Sequence, residues 1–165
     1  MKKKFIPFSA LFLLLIAFVA CNNEKEDYFD EPIDVPFTVF SISEGCSRFS
    51  PIPETLCGFR VSDSRYNISI INSDEEFRNH IICREDNDLP VIDFSQYTLL
   101  LARGVEGGGR LFPHSINLQQ HSSQGYVMNV HIGAGGLAVI TYWHVAVITD
   151  KLNKDARIRL NVTLN

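Results

Sequence analysis

The chain has 165 residues, 19 acidic against 15 basic side chains, a formal charge of −4 and 45% hydrophobic residues. An acidic chain without a basic patch argues against nucleic acid or anionic lipid headgroups as partners, and the apolar fraction is that of a folding domain. At this length one domain is expected.

Lys2, Lys3 and Lys4 form a basic head, and residues 10–20 (ALFLLLIAFVA) are an unbroken apolar run. The run is too short to span a bilayer as a helix and has the length of a signal-peptide core, so residues 1–20 are expected to be a signal peptide. It closes on Phe18-Val19-Ala20-Cys21, which resembles the lipobox of bacterial lipoproteins. The resemblance implies cleavage before Cys21 and acylation of that cysteine. Acyl chains contribute about 0.8 kcal/mol per buried methylene, enough for several chains to hold a protein at a membrane without a spanning helix. Loss of the three lysines takes the formal charge from −4 to −7. After Cys21, the stretch NNEKEDYFDEPIDVP has six acids, one lysine and two prolines, so residues 21–36 are expected to be the lipidated cysteine and an acidic flexible tether. Asn22 resembles outer-membrane sorting signals, and Lys25-Glu26-Asp27 is similar to surface-export signals of some Gram-negative lipoproteins. The expected location is the Gram-negative outer membrane, lipid-anchored and facing outward, with a plain solvated tether as the alternative reading of the acidic cluster.

Three cysteines remain, Cys46, Cys57 and Cys83, and an odd count in an exported chain allows one disulfide in three pairings. Cys46 with Cys57 would close a loop of about a dozen residues, worth roughly 3 kcal/mol, while Cys57 with Cys83 would tie the end of a helix to the first half of a sheet. No CxxC or HxxxH spacing accompanies them, and no metal site or cofactor is expected.

Residues 37–165 read as an α+β domain. Residues 37–42, 56–61 and 66–71 have strand character, the last with Tyr66, Ile68 and Ile70 on one face. The period changes at Ser73-Asp74-Glu75-Glu76, a capping box in which the Ser73 hydroxyl accepts from the Glu76 N–H and the Glu76 carboxylate returns to the Ser73 N–H. Acids in the first turn suit the helix dipole. Phe77 and Ile81 would share the buried face, and the helix should stop near Cys83 or Arg84, before Pro90.

Pro90, Asp93, Phe94 and Ser95 then lead into an apolar strand over residues 98–102. Gly107, Gly108 and Gly109 read as a corner rather than a phosphate loop, because Glu106-Gly107-Gly108-Gly109-Arg110 lacks a Gly-Lys-Ser/Thr ending. Residues 115–121 and 126–132 form an expected hairpin. With a loop of Ser123, Gln124 and a left-handed Gly125, Ile116 would face Ile132 and Leu118 would face Val130. Asn117, Gln119, Asn129 and His131 would line the wetter face. Residues 139–148, apolar on both faces, read as a central strand with Trp143 and His144 in the core, and residues 158–164 alternate as a strand with one solvated face. The fold class expected is thus α+β, a single domain with a twisted, mainly antiparallel sheet and one helix packed on it.

The order of these features, an INSDEEF helix start, then LPVIDFSQYTLLLARG, a glycine pair and an HSINL strand, resembles the C-terminal domain of PrcB over about residues 66–165. That family is one of bacterial lipoproteins accompanying a surface protease complex, and its pattern is matched by Pro90, Asp93, Phe94, Ser95, Gly108 and Gly109. Arg110 stands where the family often has an aromatic. The resemblance implies accessory binding to another exported protein and transfers no catalytic residue.

Catalytic patterns are otherwise missing: no serine lies in a G-x-S-x-G elbow, and in the expected register His121 and His131 sit roughly 13 Å apart, too far to share a metal ion. The first expectation is therefore a non-enzymatic binding protein using Gly107, Gly108, Gly109, Arg110, Asn117, Gln119, Asn129 and His131 as its surface. A carbohydrate-binding component of a glycan-uptake system, stacking sugars on Tyr142 or Trp143, is the second, and a small hydrolase the third.

Overall fold

A computed structural model describes residues 27–41, 57–61, 64–83, 90–109 and 111–165. Within them lie strands β1 (Tyr28–Asp34), β2 (Thr38–Val39), β3 (Cys57–Phe59) and β4 (Tyr66–Ile71), helix α1 (Asp74–His80), and strands β5 (Ile81–Cys83), β6 (Tyr97–Gly108), β7 (Leu111–Ser122), β8 (Gly125–Ala134), β9 (Leu137–Asp150) and β10 (Arg157–Leu164). The protein is β-dominated. Its strands form sheet A in the order β1-β7-β8-β10, sheet B in the order β2-β9-β6-β4, and a β3-β5 ribbon. Pairing is antiparallel except between β8 and β10.

Two-residue periodicity explains the layering. Met128, Val130 and Ile132 of β8 and Leu118 of β7 are buried, and so are Trp143, Val145 and Val147 of β9 with Leu100 and Ala102 of β6. These sets face one another across a single core, making sheets A and B a sandwich. Ile158, Leu160 and Val162 of β10 pack against the same core. Sheet B is also covered on its outer face: Leu99, Leu101 and Ala146 join Ile71, Phe77, Ile81 and Ile92 in a second cluster beneath α1 and the ribbon. The double burial is why β6 and β9 are apolar on both faces, whereas β7, β8 and β10 alternate.

α1 is capped as expected at Ser73, whose Oγ accepts from the Glu76 N–H at 3.2 Å. The Glu76 carboxylate, however, accepts from the Asn72 N–H at 2.6 Å instead of that of Ser73. The helix also ends earlier than expected, at His80. Ile81 is extended (φ −116°, ψ 152°), and Ile81, Ile82 and Cys83 pair with Phe59, Gly58 and Cys57. Two β-branched residues in succession favour that strand.

Asp93 sets the start of β6. Its carboxylate accepts from the Ser95 N–H at 3.0 Å and the Ser95 hydroxyl at 2.5 Å, and its other oxygen accepts from Gln96 Nε2 at 2.8 Å. These bonds, the Ser95 hydroxyl's foremost, hold the Asp93 carboxyl below its ordinary range.

The β7–β8 hairpin forms in a different register: Ile116 faces Val130, Asn117 faces Asn129 and Leu118 faces Met128. The register puts His121 opposite Gly125, so the loop is Ser122, Ser123 and Gln124, one residue earlier than expected, with the Ser122 Oγ accepting from the Gly125 N–H at 2.8 Å. Gly125 is not left-handed; a Cβ there would lie 2.5 Å from Ser122 Oγ. Because the register differs from the expected one by two residues, every side chain keeps its face. Further along, an irregularity between Pro113 and Ser115 absorbs one residue. This bulge lets Leu111 and Ile116, an odd number apart, both reach the core.

Two further expectations are corrected, for residues 28–34 and for His144, and the strand order is a new finding. Tyr28–Asp34, inside the stretch expected to be tether, is edge strand β1 on β7, through Tyr28 with Ser122, Ile33 with Gln120 and Asp34 with Gln119; a free strand edge can recruit even a charged segment. β9 and β10 are not neighbours, because the chain crosses at Leu152 from sheet B to sheet A and sets β10 parallel to β8. His144 is exposed rather than buried, with its ring 5.1 Å from Phe59 edge-to-face.

Candidate functional site

The outer face of sheet A carries a row of amides running straight across the strands. Asn117 on β7 lies opposite Asn129 on β8, which pairs with Asn161 on β10. Asn161 Nδ2 donates to Asn129 Oδ1 at 3.0 Å, Asn129 Nδ2 to Asn117 Oδ1 at 3.4 Å, and Asn117 Nδ2 to Asp34 Oδ1 on β1 at 3.3 Å. Gln119 Nε2 donates to the same Asp34 oxygen at 3.1 Å. An ionised carboxylate only accepts, so Asp34 fixes which way Asn117 and Gln119 point, and Asn117 in turn orients Asn129 and Asn161. The side chains are thereby preorganised while Asp34 and Asn161 remain exposed to solvent.

Toward one end of this face, His131 lies between Ser115 and Thr163, and beyond it Phe112 is paired with Gly133. A Cβ on Gly133 would meet the Phe112 ring at 2.6 Å, so the ring lies directly over the glycine and is 50% exposed. Toward the other end stand Gln119, Val127 and Arg159. The face offers amide donors and acceptors, a carboxylate, an imidazole and one aromatic ring, groups that can form hydrogen bonds and stacking contacts.

The expected surface is thus divided. Asn117, Gln119, Asn129 and His131 share the outer face of sheet A, joined by Asp34 and Asn161, which sequence reasoning missed. Gly107 and Gly108 lie in β6 on sheet B, opposite Ile140 and Leu137. Gly109 follows with φ 80°, its N–H donating to the Val139 carbonyl at 3.2 Å and its carbonyl accepting from the Thr141 hydroxyl. Cys21, Cys46 and Arg110 lie outside the described residues. Cys83 is disulfide-bonded, and Cys57 is the residue opposite it in the ribbon. Tyr142 and Trp143 point to opposite faces of β9: Trp143 is buried in the core, 6.1 Å from the Tyr66 ring, and Tyr142 is exposed. They do not form a common stacking platform.

Two other polar clusters are structural in geometry. Arg65 Nε donates to Glu106 Oε1 at 2.8 Å, and the Tyr66 hydroxyl donates to the same oxygen. The Tyr66 bond, then Arg65, hold the Glu106 carboxyl below its usual range, while burial and Glu106 raise Tyr66. This ties β4 to the far half of β6. Beneath the ribbon, Arg103 is buried and donates to the Arg60 carbonyl at 2.9 Å, with its other amino group 3.2 Å from His80 Nδ1. Among the described residues, no group of three or more His, Cys, Asp or Glu side chains is placed to hold a metal ion.

Comparisons of the chain with protein-family models, with curated proteins and with solved structures find no match.

Proposed function

We propose that the chain is an outer-membrane lipoprotein, anchored through Cys21, whose domain binds another exported protein through the outer face of sheet A and performs no chemistry of its own. The observation that carries this reading is the amide ladder from Asp34 to Asn161, spanning four strands on a solvated face. A structural role alone would be served by alternating Thr, Ser and Lys. Four side chains fixed in donor and acceptor direction instead lower the entropy lost when a polar partner docks. The resemblance to the PrcB C-terminal domain supports an accessory role, and a single α+β domain running from β1 to β10 is the arrangement proposed. Crosslinking in intact cells followed by capture of the lipoprotein tests it. A discrete partner should co-purify with the native chain and be lost with Asn117→Ala/Asn129→Ala; recovery of the lipoprotein alone, or equal recovery of the partner with both forms, would count against it.

A glycan partner is the second reading, favoured by the half-exposed Phe112 ring on the same face as the amides. Binding on a glycan array that is lost with Phe112→Ala would support it over the protein partner.

A further inference from the structure

We propose that the sandwich end formed by the start of β1, the β7–β8 turn and the β9–β10 connection lies against the phospholipid headgroups, leaving the glycine-rich corners at the far end pointed away from the membrane. The proposal rests on the reading of Cys21 as the lipidated residue. If residues 21–36 were all tether, the domain could sit at any orientation. Because β1 begins at Tyr28, only six residues separate it from Cys21. Seven Cα–Cα steps reach at most about 25 Å, so Tyr28 stays within that distance of the acylated cysteine while the lipid is inserted, and this end is held nearer the bilayer than the far one.

The strand pairings fix what accompanies Tyr28 at that end. Tyr28 pairs with Ser122, Arg157 pairs with Gly125, and the Arg157 N–H donates to the Gln124 carbonyl at 2.8 Å. Tyr97 pairs with Asp150 at the matching end of sheet B. Aromatic and cationic side chains thus gather where the tether leaves. Tyr28 is 73% exposed, Tyr97 39% and Phe29 36%, and Lys154, Arg157 and Arg159 are exposed beside them. Beyond Cys21 the lysines of the chain are Lys25, Lys151 and Lys154, all in the tether or at this end. Tyrosine rings and basic side chains with apolar stems suit the headgroup layer. Acids are interleaved with them on both sheets, Asp27, Asp30 and Glu31 at the start of β1 and Asp150 and Asp155 beside β9, so the basic side chains act singly rather than as a positive surface, and the orientation rests mainly on the short tether and the aromatic rings. The β8–β9 turn at Gly135 and Gly136 stands a strand length farther out, roughly 30 Å for ten residues. The amide ladder lies midway and faces sideways, open to a partner in the same membrane.

The test uses the full lipoprotein in vesicles of phosphatidylethanolamine and phosphatidylglycerol containing a headgroup-nitroxide lipid. A fluorophore is attached through p-azidophenylalanine at position 123, in the β7–β8 turn, or at position 136, where a new side chain meets no neighbour within 4 Å. Quenching several-fold stronger at 123 than at 136 is expected, falling when a flexible insert of roughly 20 residues separates Asp27 from Tyr28. Equal quenching at the two sites, or stronger quenching at 136, would overturn the orientation. Vesicles of phosphatidylcholine alone separate the two contributions: a difference that persists there comes from the short tether, and one that vanishes requires the basic side chains to meet anionic lipid. Radiolabelled palmitate reports separately on the anchor. Its absence from the native chain, or its retention by Cys21→Ala, would sink the lipoprotein reading, whereas incorporation with equal quenching would sink only the orientation.

Discussion

Arg103 carries its guanidinium into the layer between sheet B and the β3–β5 ribbon, where its partners among the described residues are neutral: the Arg60 carbonyl, Asn67, Ser69 and His80. Its Nε has no hydrogen-bond partner there. A buried cation met by dipoles alone makes its surroundings sensitive to any second positive charge. His80 is the group that can supply one. Burial, then Arg103, lower its pKa, with Glu76 opposing from the same helix, and His144 stands on β9 across from Arg103. In the unfolded chain the imidazole takes up a proton at its ordinary pKa near ~6.5, so below that pH the unfolded state binds more protons than the fold. The stability contributed by neutral His80 is therefore complete above that range and is lost as pH falls toward the depressed folded value. The melting temperature should fall from pH 7.5 to pH 5, and His80→Gln, which can still accept from Arg103 but does not titrate, should flatten that slope; parallel slopes for the two proteins would rule out His80 as the source. Trp143 makes a second point at this scale. Its ring fills the core, but its Nε1 is buried without a partner among the described residues. Chemical denaturation should show Trp143→Ala losing about 3–5 kcal/mol. Trp143→Phe should lose far less, because the orphan N–H, which costs about 1–3 kcal/mol when buried unpaired, leaves with the indole.

Gly104 shows how a single strand position fixes the pairing of β6 with its neighbours. It lies opposite Trp143 on β9 and Tyr66 on β4, and a Cβ there would stand 2.5 Å from the Arg65 carbonyl oxygen and 2.7 Å from the indole. Neither neighbour can yield cheaply, one being backbone and the other a buried ring. Gly104→Ala should cost about 1–3 kcal/mol in denaturant unfolding, and a neutral result would mean that the β4–β6–β9 packing is looser than described. The elements themselves were largely legible in the sequence. Alternation marked β4, β7, β8 and β10, the capping box marked the start of α1, and the doubly apolar run marked β9 as a strand covered on both sides. The errors fall where local signals are degenerate. Ile81, Ile82 and Cys83 continue a helical spacing yet pair as β5, because a partner strand at residues 57–59 satisfies their backbone and their β-branched side chains prefer it. The hairpin register slipped by two because a Ser122 hydroxyl can close the turn in place of a left-handed glycine. The same even slip preserved every face, which is why four of the six ladder and flanking residues were recognised despite it.

Across the whole molecule, the sequence could not say that the strands divide into two stacked sheets. A half-buried strand reads alike whether its dry face meets a helix or another sheet, and the parallel pairing of β10 with β8 depends on a crossover whose direction no local residue encodes. Asp34 and Asn161 were missed for that reason: one lay in a stretch whose composition reads as tether, and the other joins the row only through the parallel register. Stacking also moved Gly107, Gly108 and Gly109 away from the amides they were grouped with, onto sheet B. What remains is a sandwich buried on both faces of one sheet and left polar on the outer face of the other. Among the described residues α1 and the ribbon cover sheet B and no element covers the outer face of sheet A, which is the face proposed to recognise a partner. Photo-crosslinking in intact cells tests this most directly, with benzoylphenylalanine in place of exposed Asn161 on that face or of Val91, 96% exposed at the approach to β6. A discrete adduct from position 161 and none from position 91 is the expected result; no adduct from 161, or the same adduct from both, would contradict it.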